Sequence, residues 1–396
     1  MPLQPSNARE PWVDALRVLA VLGVFIVNAM GYPFAPSYPV YAGAPQPIDS
    51  PTAWIVNGLL VAFVQGKAWP LLCFLFGYSL CSIALQSRAH GLATRRVLRV
   101  RSCKLLAVGV VHGAFIYFGD VLTSYAVCGL ICARWVLLRP AKLLKVWRVL
   151  TVLFIIFTAM YVLLGASLLL LNYFPADSIK DAQATKIRLF DAANISEFWA
   201  LNMRTYFGGW FEAVLFLPFM LWLTVAGVLA RRFRLLSSRR FARLFWSKHL
   251  LSSQLFCALV FNIFLGISTI QLYTLDGLNQ AKLAGVSALN TSAGIWLAAA
   301  LVAWGMRHWH KHSSLPAWAV WLAPAGRHTL AMYLSLSIML MLTSNAYLGL
   351  SGSTLVRLPV VVLAWFLVVC LARQASLQGM RDPVARWLSA TAIAKN

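Results

Sequence analysis

His112 and Asp120 stand eight residues apart in GVVHGAFIYFGDVL, residues 109–122. An imidazole exchanges protons near neutral pH, and a carboxylate within hydrogen-bond reach orients it. On a continuous helix eight residues rise about 12 Å, so the two pair only if the helix breaks near Gly119 or another chain supplies the link. Without such a break His112 is the candidate acid or base, and Asp120 is an electrostatic group at the outer mouth.

Two further polar side chains fall within apolar runs. At the helical rise Asn28 lies about 18 Å beyond Leu16, Lys67 about 20 Å inside its span and His112 about 12 Å beyond Lys104. Each is costly against lipid, so three at similar depth point to a polar chamber between helices, where Asn28 or Lys67 can stabilise an oxyanion. Taken singly, each also has a structural explanation: an asparagine bonding between helices, a lysine reaching the interface past Pro70, a neutral packed histidine.

Groups suited to an anion sit at the basic ends of the spans. REPWVDALRVL places Asp14 and Arg17 on one helix face, either as a local ion pair or as a guanidinium oriented toward phosphate. APAGRHTLAMYLSLS brings Arg327 and Tyr333 to a helix entrance, where the helix N-terminus favours an anion. Arg99, in the basic cluster 95–104, can serve the same phosphate. Glu212, just inside the sixth span, is either a site for an acceptor hydroxyl or amine or a carboxylate at a helix start. The HWHKH run at His308–His312 is read as a hydrophilic loop in the headgroup layer rather than a metal site.

These residues need helices across a bilayer to position them. Sixty per cent of the 396 residues are apolar and 11% charged, which defines an integral membrane protein. The fold class is all-α and polytopic, with about ten transmembrane helices in one bundle, near 16–34, 54–86, 104–121, 123–138, 149–171, 209–230, 250–272, 290–306, 326–346 and 354–373. The second run is over-long and contains Lys67 and Pro70, so it is a kinked helix or a broken pair. Pro316 to Pro324 is a further interfacial helix candidate.

Basic residues concentrate in 88–104, 134–148 and 231–248, which the positive-inside rule places in the cytoplasm together with both termini. Residues 1–396 then form one integral membrane domain, with 172–208 an extracytoplasmic loop or lid and 374–396 a cytoplasmic C-terminal tail. Part of that outer loop reads as a short interfacial helix. Because the 34 Lys and Arg fall in blocks between spans, their partners are membrane lipids rather than nucleic acid.

VDALRVLAVLGVFIVN (Val13–Asn28), GKAWPLLCFLFGYSL (Gly66–Leu80), HGAFIYFGDVLTSYAVCGL (His112–Leu130) and GRHTLAMYLSLS (Gly326–Ser337) resemble the DUF418 or YeiB-like membrane family, grouped with the wider transmembrane acyltransferases. The resemblance implies a bacterial inner-membrane protein that moves an acyl group from a cytoplasmic acyl-CoA or other anionic thioester to a hydroxyl or amine acceptor, with no tightly bound cofactor. It carries roles to Asp14, Arg17, Asn28, Lys67, His112, Asp120, Arg327 and Tyr333. The chain departs from the family pattern at Ala331 and Leu336, and at Ala385 in DPVARW, where the pattern has a carboxylate.

Two other readings stay open at this level. One is a proton-coupled transporter or flippase of a small anionic or lipid-linked solute; the other is a noncatalytic scaffold. A homo-oligomer is a further partner considered.

Overall fold

The computed structural model describes residues 10–31, 51–170, 192–236, 248–272, 277–312, 315–344, 347–348 and 354–389. Within them the protein is all-α. In chain order the helices are α1 (Pro11–Gly31), α2 (Pro51–Phe63), α3 (Ala68–Ala89), α4 (Thr94–Phe115), α5 (Leu122–Trp135), α6 (Pro140–Leu170), α7 (Ile195–Gly208) and α8 (Trp210–Arg232). There follow α9 (Lys248–Gln271), α10 (Gly277–His312), α11 (Ala317–Leu322), a 3₁₀ turn (Ala325–His328), α12 (Thr329–Leu342), α13 (Thr354–Leu377) and α14 (Pro383–Ser389). Prolines open α1, α2, α6 and α14, at a position where the missing N–H would have no helical partner in any case.

Six stretches among the described residues are long and apolar enough to cross a membrane: Pro11–Ala29, Pro51–Ala89, Pro140–Met160, Leu251–Gln271, Leu289–Arg307 and Val356–Leu377. This corrects the expected ten. α5 and α12 have 14 residues each, short of the roughly 20 that a span needs, and α4 carries Arg95, Arg96, Arg99, Arg101 and Lys104 in its first half. The over-long second run is a broken pair: α2 and α3 are separated by a turn with Gly66 at φ +76°.

Apolar side chains face outward on the long helices, among them Val152, Ile155 and Ile156 on α6 and Val360, Leu363 and Leu371 on α13. Such a surface requires lipid rather than water. The protein is a multi-pass membrane protein.

With no hydrophobic driving force between helices in lipid, small residues allow close packing. α3 crosses α8 at Gly77 and Gly227, where an added Cβ would strike the Thr224 and Phe74 carbonyls respectively. α1 packs between α3 and the group formed by α11, the 3₁₀ turn, α12 and α13, while α9 and α10 join α2 and α6 on another flank.

Three local expectations meet a definite structure. Pro316–Pro324 contains α11, and α10 continues as helix through His312, so the histidine run is not a loop. The expected C-terminal tail includes α14, which packs against α4 and α12 with Leu388 buried. The 35–50 part of the first outer loop, and 172–191 of the expected lid, lie outside the described residues.

Candidate functional site

The helix carrying His112 does break. α4 ends at Phe115, and both the Ile116 and Tyr117 amides bond the His112 carbonyl at 2.9 Å, closing the last turn. Residues 116–121 then fold back, and His112 Nδ1 meets Asp120 Oδ1 at 2.8 Å. Both side chains are shut off from the surface, at 1% and 0% exposure. The condition set by the sequence for a His–Asp pair is therefore met.

Asp120 is fixed from its other side. Its carboxylate accepts the N–H of Leu122 at 3.1 Å and of Thr123 at 2.8 Å, the residues that open α5. A carboxylate oriented by two amides accepts from the ring, so Nδ1 carries the hydrogen and Nε2 is the basic nitrogen. Nε2 has no hydrogen-bond partner among the described residues.

α7 holds the break open. Asn202, fully buried, donates to the carbonyls of Gly113 at 2.8 Å and Ala114 at 2.7 Å and accepts the Phe118 amide at 3.0 Å. These are among the groups that lose their helical partners where α4 stops. Tyr206 bonds Thr123 Oγ1 at 2.7 Å and lies against Gly113, where any side chain would collide with its ring. Asn202 and Tyr206 escaped the sequence reading because the outer segment was treated as a lid, not as a support for the histidine.

The ring of His112 lies 5.1 Å, centroid to centroid, from that of Tyr333 on α12. Tyr333 lines a cavity of about 350 Å³. Tyr333 is 6% exposed, and the Val121 main chain and the Ser337 side chain lie within reach of its buried hydroxyl. Val121, Leu122 and Tyr125 line the same cavity, and the imidazole lies one aromatic ring away from it.

The cavity is also lined by charged side chains. Asp14 pairs with Arg17, which also donates to Ser79 Oγ at 2.9 Å. Glu10 accepts from Tyr78, while Arg231 stands 3.5 Å from Glu10 and donates to Ser82 Oγ at 3.0 Å. Arg101, Arg327 and Asp382 line the same cavity. Gly326 is required here, because a Cβ would strike the Asp14 carbonyl.

Asp14, Arg17, Arg327 and Tyr333 are thus brought to one cavity, while His112 and Asp120 do not line it and lie behind the ring of Tyr333. Other expected residues are not. Arg99 is exposed and lines a separate open groove with Arg95, Arg96 and Lys104; Arg101, two residues on, faces the cavity instead. The signal was in the sequence: Arg101 shares a helix face with Leu98 and Leu105, both buried.

Lys67 caps α3 in the α2–α3 break, and its ammonium donates to Val61 O at 2.9 Å and Asn290 Oδ1 at 3.0 Å. It bridges to α10 and is not among the cavity-lining residues. Asn28 is half-buried near the end of α1 and does not line the cavity either. Glu212 falls in the first turn of α8, and its side chain lies outside the described residues. Ala385, where the resembling pattern has a carboxylate, lines the cavity beside Asp382, whose Oδ1 accepts the Ala385 amide at 2.8 Å. Among the described residues no group of three or more His, Cys, Asp or Glu side chains could hold a metal ion.

Two curated proteins are similar to this chain. It is 31% identical over 154 residues to "Uncharacterized protein YxaH" of Bacillus subtilis (strain 168), a match covering 37% of this chain and 38% of that protein. It is 29% identical over 200 residues to "Uncharacterized protein YeiB" of Escherichia coli (strain K12), covering 49% and 46% respectively. The chain covers less than half the length of either relative. No family model and no solved structure matches. The likeness is thus to YeiB and YxaH themselves, and neither name states an activity.

Proposed function

We propose that this protein is an acyltransferase of the bacterial inner membrane, taking an acyl group from a coenzyme A-type thioester to a hydroxyl or amine acceptor. The charged side chains of the cavity face the cytoplasm in this reading, together with both termini, because the basic segments 88–104, 134–148 and 231–248 belong on that side.

One observation carries the reading: an oriented His–Asp pair, 2.8 Å apart, stands one ring away from a cavity that is also lined by arginines. Those guanidiniums hold the donor's phosphates. The thioester reaches Tyr333, whose hydroxyl donates to the carbonyl oxygen as negative charge develops there. This role was expected of Asn28 or Lys67; Lys67 already spends two donors on Val61 and Asn290.

In this reading the acceptor enters by the cavity beside Tyr333, so that its hydroxyl or amine meets His112 Nε2. Nε2 takes its proton as the acceptor oxygen or nitrogen bonds to the carbonyl carbon. The carbon–sulfur bond breaks and the departing sulfur receives the proton from the imidazolium, so coenzyme A leaves as the thiol. Asp120 orients the ring and stabilises its charged form.

The test is transfer of label from acyl-labelled acetyl-CoA to extractable acceptors in membranes containing the protein. His112→Ala should abolish transfer while melting temperature and coenzyme A binding stay near wild type. Equal transfer by the variant removes the proposed chemistry.

A further inference from the structure

Among the charged side chains lining the cavity, two carboxylates are tied to arginines and the third is not. Asp14 is paired with Arg17, and Glu10 with Arg231, each arginine further fixed by a serine of α3. Asp382 is held by main-chain donors instead. Its Oδ1 accepts the Ala385 amide at 2.8 Å, capping α14, and its Oδ2 accepts the Ala331 amide at 3.1 Å, in the first turn of α12. It is 3% exposed.

The Ala331 amide is one of the free N–H groups that begin a helix, the place where an anion gains from both hydrogen bonding and the helix dipole. Arg327 lies just before it in the 3₁₀ turn, and Arg101 lines the same wall within electrostatic reach of Asp382. Neither arginine is hydrogen-bonded to Asp382, whose two oxygens accept from the Ala331 and Ala385 amides. A carboxylate of the chain therefore occupies a position built from cations and a helix N-terminus, inside a cavity with room for a ligand.

We propose that Asp382 is an internal competitor at an anion subsite formed by the Ala331 amide, Arg101 and Arg327, and that a phosphate-bearing ligand binds there by displacing it. The inference rests on the donor assigned above and adds a regulatory step to it: α14 closes this subsite until the ligand's phosphate replaces the carboxylate. Movement of the 382–388 wall accompanies binding.

The test is calorimetric titration of coenzyme A, and separately of inorganic pyrophosphate, into the purified full-length protein. Asp382→Asn removes the competing charge and keeps an oxygen to cap α14, so both ligands should bind about tenfold more tightly. Arg101→Gln should weaken both about tenfold. If the Asn variant is unstable, Asp382→Ser supplies another uncharged cap for the same comparison.

Unchanged or weaker binding by a folded, uncharged variant overturns the competition. Tighter coenzyme A binding without tighter pyrophosphate binding overturns phosphate as the competing group. If wild type and variants alike bind neither ligand, the donor assignment and this inference fall together; if wild type binds coenzyme A and the variants match it, only this inference falls.

Discussion

Asn202 bonds the Gly113 carbonyl at 2.8 Å across the interface of α7 and α4, one residue beyond His112. With its bonds to Ala114 and Phe118, this one side chain supplies what the helix lacks where it stops, and so allows the chain to fold Asp120 back onto His112. The His112–Asp120 pair is therefore a product of a helix ending, and α7 supplies the side chain that satisfies that end.

Asn202→Ala should destabilise the protein by about 2–3 kcal/mol, since it leaves buried carbonyls and an amide without partners. Transfer should fall more than donor binding, because Asn202 supports the turn that carries the His112–Asp120 pair and does not line the cavity. A lowered melting temperature with unaltered turnover per folded molecule would show that the break forms without Asn202.

Asp120→Asn keeps the shape of the pair but removes the carboxylate that fixes the ring tautomer. Turnover should fall by roughly 10²–10⁴-fold, in line with loss of an orienting carboxylate from a catalytic histidine. Donor affinity should change little. The comparison is made on kcat and on coenzyme A binding separately.

Tyr333→Phe removes one hydroxyl from the cavity lining. If that hydroxyl serves the developing oxyanion, kcat should drop by about 10²-fold with KM for the thioester nearly constant. A rise in KM alone would assign Tyr333 to ground-state binding.

Lys67→Met tests a residue that the sequence placed in the reaction and the structure places in a helix junction. Loss of the ammonium leaves Val61 O and Asn290 Oδ1 without their buried donor, costing about 1–3 kcal/mol in stability. Turnover by the folded variant should remain near wild type. A large loss of turnover at unchanged stability would return Lys67 to the chemistry.

Arg99→Gln and Arg327→Gln separate groove from cavity. Arg327 lines the cavity and Arg99 does not, so coenzyme A affinity should fall about tenfold in the second variant and less than about twofold in the first. Binding measured in the same detergent and at the same ionic strength decides it, since exposed charges are strongly screened.

The sequence by itself determined the membrane class, the helical composition and the placing of His112 within an apolar run, because apolar run length and the cost of an ionisable group in hydrocarbon are local properties. It also marked Asp14, Arg17, Arg327 and Tyr333, whose motifs lie at the ends of the runs that carry them. It read depth along a helix but not direction around it, and for that reason grouped Lys67 with His112 and preferred Arg99 to Arg101. Only the tertiary structure decided that α4 breaks after Phe115, since the donors and acceptors that make the break stable belong to Asn202, more than eighty residues away. A hydrogen bond between distant segments leaves no periodicity in either one, so the pairing of His112 with Asp120 could be stated from the chain as a condition and satisfied only by the fold.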